Sequence, residues 1–163
     1  MIGFDELYRA HFQDVFLYLC RISGDEQLAQ DLTGDTFYRA FRSIDSFRGE
    51  CDTKIWLLRI AKNCYYTHCR KNRHKVDSVT VAEDLPDPIA PIEEELAQKE
   101  QAEHIRRHLH ELPDPYKEVF MWRVFGDLSF REIGAMFGKS ENWACVTYHR
   151  AAKMIRKRLE EEL

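Results

Sequence analysis

The chain has 163 residues, enough for one ordinary domain or two small ones and too few for an elaborate multidomain enzyme. Its seven Gly and five Pro fall well below the roughly 12% that these residues make up in an average protein, which argues against a turn-rich β architecture. A net charge of −4 with 32% charged residues excludes a chain that is strongly basic on average, and leaves open how the charge is distributed along it.

Apolar residues at 4, 7, 8, 12, 15, 16 and 19 follow the helical period and predict a first helix closed at Ser23-Gly24. Ser23-Gly-Asp-Glu26 reads as a capping box that opens a second helix, with Leu28, Leu32, Phe37, Ala40, Phe41 and Ile44 on its inner side. A polar loop, Asp45 to Asp52, leads to a third helix from about Thr53 to Arg73. Residues 76–91 lose the period and gather acids with Pro86, Pro88 and Pro91, as expected of a linker.

A fourth helix carries Ile92, Leu96, Ala102, Ile105, Leu109 and Leu112. Asp114-Pro115 is expected to cap a fifth helix that ends near Gly126, with proline at its first position. Ser129-Phe-Arg-Glu132 is a second capping box, opening a short sixth helix over Phe130 to Phe137 that Gly138 stops. Ser140 caps a long seventh helix that runs to the acidic C-terminus. The expected fold is all-α: two small helical domains, 1–75 and 92–163, joined by an acidic, proline-containing linker at 76–91.

Charge is sorted by block. Residues 48–75 hold eight Lys or Arg against two acids, and 139–158 hold six against one, while 77–103 hold nine acids against one Lys. Two basic patches are thus hidden in a mildly acidic chain, and local cation density is what binds phosphate.

On the third helix, Arg59, Lys62, Asn63, Tyr66, Arg70 and Arg73 share one face, while Leu57, Leu58, Ile60, Ala61, Cys64 and His68 share the other. Cations hold a phosphate backbone, an aromatic ring stacks a splayed base and an amide reads a base edge, a set suited to opened or single-stranded DNA. Residues 130–148 have the length and punctuation of a helix-turn-helix, with small Gly134 where the two helices must approach. On the seventh helix Ala144, Tyr148, Ala151, Ile155 and Leu159 form the inward stripe. Asn142, Val146, His149, Arg150 and Lys153 point away, with Cys145 at the margin, to meet base edges in a major groove; Lys153, Arg156 and Lys157 would meet phosphates.

These residues together resemble the extracytoplasmic-function sigma factors of bacterial RNA polymerase over essentially the whole chain. In the first half the resemblance rests on Asp31-Leu-Thr-Gly-Asp-Thr-Phe-Tyr-Arg-Ala-Phe41, Phe47-Arg-Gly49 and Ile55-Trp-Leu-Leu-Arg-Ile-Ala-Lys-Asn63. In the second it rests on Leu112-Pro-Asp-Pro-Tyr-Lys-Glu-Val-Phe120, Leu128-Ser-Phe-Arg-Glu-Ile133 and Tyr148-His-Arg-Ala151.

The resemblance implies a factor that binds core RNA polymerase and promoter DNA, performs no chemistry itself, and is held in check by an anti-sigma factor. Asp31, Asp35 and Arg39 would lie on the polymerase-docking helix. Arg48, Lys54, Trp56, Arg59, Lys62, Asn63, Tyr66 and Arg70 would face the minus-10 element, with Trp56 either beside the opened strand or in the core. Asn142, Cys145, Val146, His149, Arg150 and Lys153 would face the minus-35 element. The reading helix departs from the family in carrying Cys145, Val146 and Thr147 where charged or hydroxylic residues are frequent. That shifts the expected base reading to Asn142, His149, Arg150 and apolar contacts. Lys139 and Gly34 also depart from the family's usual residues.

Two rival readings stand beside this one. An autonomous helix-turn-helix regulator would need no polymerase. A metal or redox sensor would use Cys64 and His68, one turn apart, with Cys51, Cys69 and His74 nearby in sequence. The chain has no phosphate-cradling glycine loop, no His metal pair coupled to a general base and no nucleophile in a recognisable setting, so neither an enzyme nor a cofactor or metal is expected. Its start lacks a basic n-region, and apolar runs such as Val15 to Cys20 fall far short of the roughly 20 residues of a membrane span. The five cysteines are odd in number and form no C-x-x-C pair. A cytoplasmic protein without direct membrane insertion is expected.

Overall fold

The computed structural model describes residues 3–47, 49, 52–72 and 93–162, with the side chains of 93–100 left aside. Among these residues it contains seven α-helices and one 3-10 turn. The chain divides into two compact units, Met1–Leu85 and Pro86–Leu163. The expected linker, 76–91, lies outside the described residues.

The first unit packs α1 (Phe4–Ser23), α2 (Glu26–Ser43) and α3 (Thr53–Asn72) each against the other two. Leu7, Val15, Leu19 and Ile22 of α1 meet Ala29, Leu32 and Phe37 of α2 and Ile55, Leu57, Leu58 and Ala61 of α3 in one core. Burying each large aliphatic side chain stabilises by about 1.5–3 kcal/mol, which favours three helices over any one alone.

The sequence expectation differs here at several places. Ser23 is still helical, its Oγ donating to the Leu19 carbonyl at 2.6 Å, and so lacks the extended backbone an N-cap requires. Gly24 ends α1 in the left-handed region at φ 70°, and Asp25 caps α2 by accepting from Leu28 N–H at 3.1 Å. Phe41, expected inside, is 58% exposed and meets Phe4 edge-on at 5.2 Å. Tyr8 and Phe12 of α1 are also exposed, because the apolar stripe of this helix is wider than the surface its two neighbours cover. Ile44 falls in the 3-10 turn Ile44–Ser46, half-buried.

The second unit comprises α4 (Glu93–Glu111), α5 (Tyr116–Val124), α6 (Phe130–Met136) and α7 (Glu141–Glu161). Leu109, Leu112, Val119, Phe120, Met121, Trp122, Leu128, Ile133, Ala144, Ala151 and Ile155 form its core. Ala102 is exposed rather than inward, Ile92 lies outside the described residues, and nothing is described of the Leu96 side chain. The N-cap of α5 is Pro115, not Asp114, and no side chain caps it. Lys117 N–H instead bonds the Pro113 carbonyl at 3.2 Å, so backbone closes the turn that Asp114 was expected to close.

Both remaining caps are present as expected. Ser129 Oγ accepts from Glu132 N–H at 3.1 Å while Glu132 Oε1 accepts from Ser129 N–H at 3.0 Å, and Ser140 Oγ accepts from Trp143 N–H at 3.0 Å. On α7, Thr147 is buried and Tyr148 and Leu159 are half-buried, so the inward stripe is rotated slightly from expectation. Tyr148 spends its ring on a stack with Phe120, 5.6 Å between centroids.

A set of ion pairs ties the last turn of α7 to α4. Glu162 meets His108 Nε2 at 2.9 Å and His104 Nδ1 at 3.3 Å, and also pairs with Arg107. Glu111 joins Arg158 at 3.5 Å. The Arg107 guanidinium already occupies the carboxylate that the two imidazoles share, so the cluster is an ion-pair clasp with its cation supplied by the chain. No helix among the described residues is long and apolar enough to cross a membrane.

Candidate nucleic-acid interface

The geometry of the first reading surface follows from the start of α3. Asp52 Oδ1 accepts from Lys54 N–H at 2.8 Å and satisfies a donor the helix leaves orphaned. From Thr53 to Asn72 the helix then carries Lys54, Arg59, Lys62, Arg70 and Lys71 and no acid. Ile55, Leu57, Leu58, Ala61, Cys64 and Tyr65 are buried, whereas Arg59, Asn63 and Arg70 are exposed and Lys54, Trp56, Lys62 and Tyr66 half-buried. One face is therefore core, and the other places an amide and an aromatic ring among cations. Trp56 stacks on Phe47 at 4.6 Å between centroids, with 25° between planes. It is neither core nor free: Phe47 sets its ring at the edge of the unit. Arg48 lies outside the described residues.

The second surface depends on a close approach. A Cβ on Gly134 would lie 2.6 Å from the Ser140 carbonyl oxygen, so only glycine lets α6 run beneath the turn. Lys139 N–H bonds the Gly134 carbonyl at 2.8 Å, and Gly138 turns the chain at φ 66°. The turn aims the N-terminal half of α7 outward. Asn142, Val146, His149, Arg150 and Lys153 are all exposed and Cys145 is half-buried, on the face opposite Ala144, Thr147 and Ala151.

On α2, Asp31, Asp35 and Arg39 are exposed along one face while Ala29, Leu32, Thr33, Thr36, Phe37 and Ala40 are buried. Tyr38 and Arg42 share this outer face and were not singled out from the sequence. Tyr38 is 60% exposed, its hydroxyl accepts from Arg42 at 3.1 Å, and the guanidinium lies 5.9 Å from its ring centre. Their spacing of seven from Asp31 and Asp35 is the signal that points to them.

Of the sensor residues, Cys64, His68 and Cys69 are described, and they belong to no metal-holding group among the described residues. Cys64 is buried, and burial is the main cause that pushes its thiol pKa up, away from the reactive thiolate. His68 Nε2 lies 2.9 Å from Asn72 Nδ2. Among the described residues no three His, Cys, Asp or Glu side chains are grouped to hold a metal. Cys51 and His74 lie outside the described residues.

Two cation-bearing helical faces, one of them in a helix-turn-helix, have the form of a DNA-binding protein. Family comparison sharpens this: Sigma-70 region 2 matches residues 7–75 and Sigma-70 region 4 matches residues 102–155. The RNA polymerase sigma factor CarQ of Myxococcus xanthus is 31% identical, over 98% of this chain and 90% of its own. The ECF RNA polymerase sigma factor SigM of Bacillus subtilis is 30% identical, over 84% of this chain and 83% of its own.

The fold is also that of CnrH in its complex with the cytosolic domain of CnrY, at TM-score 0.64 and 19% identity over 98% of this chain and 89% of that one. The sigma factor RpoE, solved with the anti-sigma factor NepR from Bartonella quintana, has TM-score 0.62 at 20% identity over 96% of each chain. The chain belongs to the ECF sigma factors of bacterial RNA polymerase. It binds core polymerase and promoter DNA and directs promoter-specific initiation of transcription. Matches to both regions favour this over an autonomous regulator or a sensor.

Proposed function

We propose that the three surfaces divide the work of initiation. The α2 face with Asp31, Asp35 and Arg39, extended by Tyr38 and Arg42, docks on core polymerase. The α3 face recognises the minus-10 element: Arg59, Lys62 and Arg70, with Arg48 and Lys54 near the helix start, hold phosphates. Asn63 reads a base edge, and Trp56 and Tyr66 stack on bases that leave the duplex. The outward face of α7 reads the minus-35 element through Asn142, Cys145, Val146, His149 and Arg150, with Lys153 on phosphate. Residues 1–75 and 92–163 are the two working domains and 76–91 connects them.

The observation that carries this division is the absence of acids along α3 together with its buried opposite face. A face so built has no use in the unit's own core. Its cations release counterions from phosphate, and each stacked base contributes about 1–3 kcal/mol, which offsets the few kcal/mol needed to unstack a base. No step requires a chemical group on this chain, and the polymerase performs the catalysis. The protein works in the cytoplasm, and an anti-sigma factor covers its polymerase-binding surfaces until it is needed. The complex of the similarly folded RpoE with the anti-sigma factor NepR from Bartonella quintana supports that last element.

The test is transcription by reconstituted holoenzyme. Replacing Asn63 and Arg59 together by alanine abolishes promoter opening, read as permanganate reactivity of the minus-10 strand, and leaves core binding intact. Loss of core binding instead would place α3 on the polymerase surface and overturn the division.

A further inference from the structure

Behind the outward face of α7 lies a pile of rings that the reading surface does not account for. Arg123, in the last turn of α5, places its guanidinium 4.1 Å from the centre of the Phe130 ring and donates to the Leu128 carbonyl at 3.1 Å. It thereby spans the loop between α5 and α6 from both ends. Phe130 is the first residue of α6, fixed by the Ser129–Glu132 capping box. Its ring lies 5.5 Å from Tyr148 and 6.4 Å from His149, tilted by 50° and 48°, and Tyr148 in turn meets the His149 ring edge-on at 5.3 Å. Tyr148 is anchored from below by its stack on Phe120. Of the outward residues of α7 named as base readers, His149 is the one whose ring is held from two sides.

We propose that Phe130, locked by Arg123, is a positioning residue that fixes the His149 imidazole and so determines sequence preference at the base pair His149 meets. The inference rests on the assignment of the outward α7 face to the minus-35 element. An exposed imidazole alone samples several staggered rotamers. A neighbour that leaves room for one of them removes the entropy of ordering it on binding and narrows the set of base edges it can reach. Aromatic pairs at these separations have a geometric preference strong enough to bias a rotamer. The Arg123 guanidinium, attracted to the ring face, keeps Phe130 from rotating away. Specificity is then set partly from α5 and α6, by side chains that touch no base.

The experiment is transcription by the holoenzyme from a promoter library randomised across the minus-35 element, for the wild type, His149→Ala, Phe130→Leu, Phe130→Tyr and Arg123→Met. His149→Ala is expected to flatten preference at one or two positions. Phe130→Leu, which keeps apolar bulk, lowers discrimination at those same positions about tenfold, within the range one mismatched base pair carries. Arg123→Met does so more weakly, and Phe130→Tyr, which keeps the ring, retains wild-type preference. Minus-10 preference stays unchanged in all four. A uniform loss of transcription across the library with Phe130→Leu, or flattening at positions His149→Ala leaves alone, overturns the positioning role. If His149→Ala changes no preference at all, the assignment of the reading face fails and the positioning role falls with it. If His149→Ala flattens preference and Phe130→Leu does not, only the positioning role falls.

Discussion

His108 Nε2 lies 2.9 Å from Glu162 Oε1, joining the buried His108 of α4 to the C-terminal end of α7. The close approach of the His108 ring is the main cause that holds the Glu162 carboxyl below the usual carboxylate range, with the Arg107, His108 and His104 charges adding to it. A carboxyl whose folded-state pKa is depressed contributes stability above its unfolded value and loses it as pH falls through the folded one. Glu162→Gln is therefore expected to lower the stability of the second unit at about pH 6 and to lower it by less at about pH 3, because the stabilisation fades as pH falls towards the depressed folded-state value. The side chain is about one-third exposed, so solvent screens the effect. Urea titrations followed by tryptophan fluorescence at the two pH values check it. An equal difference at both would mean that the charge of Glu162 is not the cause.

The two helical glycines make opposite predictions. A Cβ at Gly134 meets the Ser140 backbone at 2.6 Å, and that backbone is itself the helix-turn-helix turn. Gly134→Ala is expected to destabilise the second unit by about 1–3 kcal/mol as the helices are forced apart. At Gly34, in the exposed middle of α2, an added Cβ meets nothing within 4 Å. Gly34→Ala is expected to stabilise the first unit by about 0.5–1 kcal/mol through reduced chain entropy. Thermal melts of the two variants against wild type read both signs.

The reciprocal cap at α6 gives a third expectation. Ser129→Ala removes the acceptor for Glu132 N–H and costs about 1 kcal/mol of second-unit stability. Ser140→Ala costs a similar amount at α7. Ser23→Ala removes no N-cap, because Asp25 caps α2, and it is expected to cost less than Asp25→Ala. Denaturation of these variants checks the order.

The proposed phosphate and base contacts on α7 are expected to separate by salt. Lys153→Ala is expected to weaken holoenzyme binding about equally across minus-35 sequences and to lower the slope of log affinity against log salt by about 1. Arg150→Ala is expected to relax preference among sequences instead. Filter-binding titrations across salt concentrations distinguish the two. Equal loss on all sequences for both variants would move Arg150 from the base readers to the phosphate contacts.

The order of the helices, the capping box at Ser129 and the close approach at Gly134 are legible in the amino-acid sequence because each depends on residues within a few positions of one another. The charge bias of α3 is legible for the same reason: a helical face is a periodic property of one segment. At Ser23 the expectation failed because Asp25, two residues on, competes for the same cap, and at Asp114 because the backbone bond from Lys117 to Pro113 closes the turn with no side-chain cap; the chain path between helices decides both. Phe41, Tyr8 and Phe12 read as core by period alone, yet how much of an apolar stripe is buried depends on the width of the neighbouring helices.

Local chemistry, then, determined the helices, the two basic faces and the family to which the chain belongs. The tertiary structure alone decided which rings lie against one another and which carboxylate closes on which imidazole. Phe130 stands 19 residues before His149, and His108 stands 54 before Glu162. No periodicity in one helix encodes such pairings. They exist because core packing of Leu109, Trp122, Ile133 and Ile155 brings their helices to fixed distances.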